Sequence, residues 1–90
     1  MTNRWTSTDP LFLAAFGEAV RRRREQAGLE RKDLAETAGI SYSYLSAIES
    51  GQKLPSGAIQ TDLANALGVG PSELLAEANR ASDESLPSDV

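Results

Sequence analysis

The stretch Gly39–Pro55, GISYSYLSAIESGQKLP, decides how this chain folds. Ile40, Leu45 and Ile48 recur at the spacing of one helix face, so they point inward. Ser41 stands where a hydroxyl can accept from the free N–H groups of a first turn, and Gly51 stands where a helix ends. A helix therefore runs to about Glu49. Its outward side is Tyr42, Ser43, Ser46, Ala47 and Ser50, with Tyr44 and Glu49 nearer the edges. Leu29, Leu34 and Ala38 belong to a short helix just upstream, about Glu30 to Thr37, closed by Gly39. Two helices joined by so short a bend approach steeply. That approach requires a small residue at the closest point, supplied by Ala35, and a backbone at Gly39 that other residues adopt only at a cost.

Reading outward, Asp9-Pro10 opens a first helix, with an aspartate cap and proline at the first helical position. Leu13, Phe16, Val20 and Ala27 continue it until Gly28. Beyond the turn Leu54-Pro55-Ser56, a fourth helix runs from Gly57 to about Leu67 on Ile59, Leu63 and Leu67. A fifth follows Pro71, from Ser72 to about Asn79, with Leu74 and Leu75 buried. The fold class expected is all-α, five compact helices with loose termini and no strand. Residues 1–8 read as a flexible segment holding the single tryptophan, Trp5, which is expected to cover an apolar patch near the first helix. Residues 9–80 read as the folded domain, and 81–90 as a disordered acidic tail.

Ninety residues, 40% of them hydrophobic, make one domain. Cysteine and histidine are both absent, which excludes disulfides and effectively excludes zinc. No metal or other cofactor is implied. The first ten residues lack the apolar run of a secretory signal, and no stretch approaches the ~18 apolar residues of a membrane span. A soluble cytoplasmic protein without a membrane partner is the expectation. No glycine-rich phosphate loop or acidic cluster suggests an enzyme.

The net charge of −4 disfavours a polyanionic ligand, but the charge is segregated. Between positions 21 and 53 lie seven bases (Arg21, Arg22, Arg23, Arg24, Arg31, Lys32, Lys53) and five acids (Glu25, Glu30, Asp33, Glu36, Glu49). The last ten residues carry Asp83, Glu84 and Asp89 and no base. Arg21 to Arg24 span a full turn, so their side chains cannot all face one way, and at least one is expected to pair internally or to serve solubility.

The combined order and spacing of AVRRRREQAGLERKDLAETAGISYSYLSAIESGQKLPS and LANALGVGPSELL resembles the Cro/repressor, or xenobiotic-response-element, family of helix-turn-helix proteins over about Phe16 to Leu75. The resemblance implies a five-helix DNA-binding domain that acts as a dimeric transcription regulator on a two-fold symmetric operator, with the third helix in the major groove. It places reading positions on Ser41, Tyr42, Ser43 and Ser46. Arg31 stands at the start of the second helix, where the family reaches a phosphate or base edge and commonly has glutamine; Glu30 precedes it where a capping serine is usual. Lys32, Gln52 and Lys53 complete the expected contacts, with Lys53 the best phosphate candidate after Arg31. Tyr42, Ala47 and Ser50 fall where the family often has cations, so low nonspecific affinity and greater dependence on dimerisation are expected. Glu49 matches a position the family keeps acidic. Its role is structural, through a pair with Arg22 or Arg23 of the first helix.

Leu13, Phe16, Leu34, Leu45, Ile48, Leu63 and Leu67 are plain core. Tyr42 is weighted toward ligand contact, Tyr44 stands evenly between core edge and ligand, and Ser41 caps first and touches DNA second. The competing reading is a protein-interaction or antitoxin-like module with a protein partner, which keeps the fold and binds DNA weakly. RNA binding lacks an aromatic platform to support it. A homodimer would use the fourth and fifth helices, through Leu74, Leu75 and Ala78, with Leu86 a remote alternative.

Overall fold

The computed structural model describes residues 9–84. Five helices follow in order: α1 (Pro10–Gln26), α2 (Arg31–Ala38), α3 (Tyr42–Glu49), α4 (Gly57–Leu67) and α5 (Pro71–Glu84). No strand occurs among the described residues. Trp5 and residues 1–8, like Leu86 and the rest of the chain's end, lie outside them.

Local chemistry sets most of the helix ends. Asp9 Oδ1 accepts from Leu11 N–H at 3.0 Å and starts α1 at the expected proline. Ser41 Oγ accepts from Tyr44 N–H at 3.0 Å and starts α3. At Glu30 the cap is supplied from the other direction, because its N–H donates to Asp33 Oδ2 at 3.1 Å. The helix then begins at Arg31 and keeps Ala38 as its last residue. Gly39 takes φ 76°, and the bond from Ile40 N–H to Ala35 O at 3.0 Å closes the turn. Such a left-handed position carries a penalty for any residue with a Cβ.

The helices enclose one core in which Phe12, Phe16, Val20, Leu34, Leu45, Ile48, Leu63, Leu74 and Ala78 are buried. Ile40, Tyr44, Leu67 and Leu75 pack on its edge. α1 lies against α5 and α3, while α2 lies against α4 and α3. Phe12 takes the buried place expected of Leu13, which is only half-buried, and Ala27 is exposed. Phe16 and Val20 keep their expected places; the stripe runs back from Phe16 by four residues to Phe12 instead of by three to Leu13, with ring centroids 6.2 Å apart, and Ala27 lies past the last helical residue as the C-cap.

Two further expectations need correction. The fifth helix does not stop near Asn79, and the segment 81–90 is not wholly a tail, because α5 continues through Glu84. Leu74, Ala78 and Ser82 are spaced four apart and form one buried stripe against the body, with Ser82 only 1% exposed. The same stripe removes Leu74 and Ala78 from any interface between copies, as they are 1% and 0% exposed within a single chain.

Candidate nucleic-acid interface

The α2-turn-α3 unit is seated by apolar contacts and fixed by ions. Leu45 and Ile48 are fully buried, which sets the rotation of α3. Gly17 lets α1 cross it closely: a Cβ there would collide with Ile48 O and lie 2.8 Å from Glu49 O. Within the same crossing Glu49 is buried and doubly paired. Arg24 Nε and Nη2 donate to its two oxygens at 2.8 and 3.1 Å, and Arg31 Nε donates to Oε1 at 2.9 Å. Arg24 Nη1 also donates to Leu29 O at 3.0 Å. One carboxylate thus joins α1, α2 and α3, and Arg24 adds the turn before α2 through Leu29 O. The structural role expected of Glu49 holds, but its partners are Arg24 and Arg31. Arg22 and Arg23 are turned away by the helical rotation and meet Glu77 of α5 at 2.7 and 2.8 Å.

Arg31 therefore does more than project into solvent. Its Nη1 donates to Tyr42 Oη at 3.3 Å, and its guanidinium carbon stands 5.9 Å from the centroid of that ring. Hydrogen bonds to Glu49 first, and to Tyr42 second, raise the Arg31 pKa above its ordinary value. Two of its five N–H donors are used in these bonds, and the others remain for a ligand.

The expected site residues fall into two groups. Arg31, Tyr42, Ser43, Ser46, Ala47, Ser50 and Gln52 line one open hollow of about 620 Å³, together with Arg21 and Glu49. Ser41, Lys32 and Lys53 are exposed but outside its walls. Among the described residues Tyr42 is the exposed large hydrophobic one, at 52%, whereas Ser46 and Ala47 are half-buried. Sequence reasoning does not find Arg21 as a wall residue or Gly17 as the crossing point. The charge run hides the former, while nothing in a lone glycine within a helical pattern distinguishes a crossing from a tolerated defect.

Comparison with known proteins places this arrangement. A family model described as a helix-turn-helix domain matches residues 15–78. The chain belongs to that family. An uncharacterised helix-turn-helix transcriptional regulator of Bacillus subtilis, YazB, is 39% identical over 59 residues, covering 66% of this chain and 86% of its own. A similarly described Mycobacterium tuberculosis regulator is 40% identical over 53 residues, but those span 59% of this chain and only 38% of that protein. Among solved structures, the restriction-modification controller protein C.AhdI from Aeromonas hydrophila superposes with a TM-score of 0.67 at 37% identity, over 69% of this chain and 94% of its own. The clp gene regulator ClgR from Corynebacterium glutamicum gives a TM-score of 0.79 at 33% identity, over 83% and 80%. The helix-turn-helix family is one of DNA-binding transcription regulators rather than enzymes, in line with the Cro/repressor resemblance. Among the described residues, no helix is long and apolar enough to cross a membrane.

Proposed function

We propose that this helix-turn-helix protein is a sequence-specific double-stranded DNA-binding transcription regulator that acts as a homodimer on a two-fold symmetric operator. The observation that carries the reading is the outward face of α3. Tyr42, Ser43, Ser46 and Ala47 are presented on a helix whose rotation is fixed by buried Leu45, Ile48 and Glu49. An eight-residue helix so anchored fits a major groove and reads base edges with its N-terminal residues.

On this reading the contacts divide by chemistry. Lys32 and Lys53 are exposed, are without an ion-pair partner among the described residues, and flank α3 at the start of α2 and in the loop after α3. They hold phosphates and set the register. Arg31, oriented by Glu49 and Tyr42, places its remaining donors at the groove edge. Ser43 and Ser46 offer hydroxyls, and Tyr42 and Ala47 offer apolar surface to a thymine methyl. With few unpaired cations per half-site, the protein binds random DNA weakly and relies on two half-sites engaged together.

The test is selection of duplexes from a randomised pool at two salt concentrations, followed by titration of the enriched sequence. An inverted repeat bound more tightly at low salt, and weakened by Arg31→Ala, supports the reading. If no duplex is enriched even at low salt, the reading is overturned, and the competing protein-interaction module becomes the one to test.

A further inference from the structure

The run Arg21–Arg24 divides three ways. Arg24 is buried on Glu49, and Arg22 and Arg23 line a separate cleft between α1 and α5, where both grip Glu77. Arg21 alone of the four lies on the wall of the hollow beside α3, in company with Ser50 and Gln52. Its guanidinium is already occupied. Nη2 donates to both oxygens of Glu18 at 2.7 Å, and Nη1 reaches Glu25 Oε2 at 3.4 Å. Glu18 precedes it by three residues and Glu25 follows by four, so both carboxylates come from α1 itself.

We propose that Arg21 is a masked phosphate-binding residue at the edge of the DNA interface, with Glu18 and Glu25 as internal stand-ins for the phosphate. The inference rests on the DNA-binding reading above. The side chains of Arg21, Glu18 and Glu25 are 39%, 48% and 55% exposed. An ion pair so open to water is weak and exchangeable. A phosphate oxygen offers the guanidinium the same geometry as a carboxylate oxygen and can displace Glu18. The two glutamates also place negative charge beside a surface that must approach a polyanion. Arg21 therefore contributes little to random DNA, where no contact holds a phosphate against it long enough to repay the exchange. It contributes more once α3 is seated and that phosphate is fixed, so the device weakens nonspecific binding in preference to specific binding.

The experiment is a double-mutant cycle on binding of a short mixed-sequence duplex at low salt, using full-length protein with wild type, Glu18→Gln with Glu25→Gln, Arg21→Ala, and all three changes together. Unmasking is expected to tighten mixed-sequence binding by about three- to ten-fold and to steepen the salt dependence by about one released counterion. In the Arg21→Ala background, the gain from the glutamate changes should largely disappear. An equal gain in that background overturns the inference, since the glutamates would then act only through net charge. No gain in a wild-type background that still enriches an inverted repeat also overturns it. Failure of every variant to bind or select any duplex overturns the DNA-binding reading itself.

Discussion

The arginines of α1 and the lysines beside α3 carry the same charge to different ends. All four arginines are tied to carboxylates of the same chain, at Glu18 and Glu25, Glu77, Glu73 or Glu49. Lys32 and Lys53 have no such partner among the described residues. A basic run therefore says little about where a polyanion docks, and two isolated lysines say more. What decides is whether the side chains actually meet, not whether an acid stands one turn away: Glu36 follows Lys32 by four residues on α2, and no ion pair joins them. Arg22, Arg23 and Arg24 tie α1 to other helices, Arg21 pairs only within α1, and the two lysines are exposed without an ion-pair partner among the described residues.

Breaking the scaffold side should give the largest effect. Glu49→Ala strands Arg24, which is 8% exposed, and frees Arg31; a cost of about 3–5 kcal/mol is expected, seen as a marked fall in the thermal midpoint. If the midpoint barely moves, the carboxylate is not the tie between the first three helices. Gly17→Ala comes next. The added methyl meets the Ile48 and Glu49 carbonyls, so α1 and α3 must separate, at a cost of about 1–3 kcal/mol in chemical denaturation.

The α1–α5 arginines sharpen the comparison at intermediate scale. Glu77 is 12% exposed and serves both Arg22 and Arg23, so Glu77→Gln should destabilise by about 1 kcal/mol and leave operator affinity nearly unchanged. A large loss of DNA binding there would mean that α5 communicates with the interface. The lysine side should behave oppositely. Lys53→Ala is expected to change stability by less than about 0.5 kcal/mol. It should weaken binding across sequences and lower the salt slope by about 0.9 for each phosphate lost. An unchanged slope would remove Lys53 from the interface.

Much of the site is legible in the order of residues alone. Ser41 as a cap, Gly39 as the left-handed turn, and Leu45 with Ile48 as the inward pair all follow from local chemistry and periodicity, and each holds. Which arginine meets Glu49 is not legible, because Arg22, Arg23 and Arg24 differ only by 100° steps around α1, and the crossing of α1 on α3 selects among them. The end of α5 is hidden for a related reason. Ala81, Ser82 and the acids after them look like a polar tail, yet α5 continues through Glu84 and buries Ser82 in line with Leu74 and Ala78; the Ser82 hydroxyl has no hydrogen-bond partner among the described residues, so the apolar stripe before it, not the serine, carries the helix onward.

The sequence by itself determined five helices, their caps and turns, the helix-turn-helix order and the outward face of α3, since each depends on residues within a turn or two of one another. Only the tertiary structure decided that Arg24 and Arg31 share Glu49, that Arg22 and Arg23 turn to α5, and that Arg21 stands at the edge of the hollow. Those assignments depend on the angle and depth at which helices cross, which are fixed by residues distant in the chain, from Gly17 against Ile48 to Arg23 against Glu77.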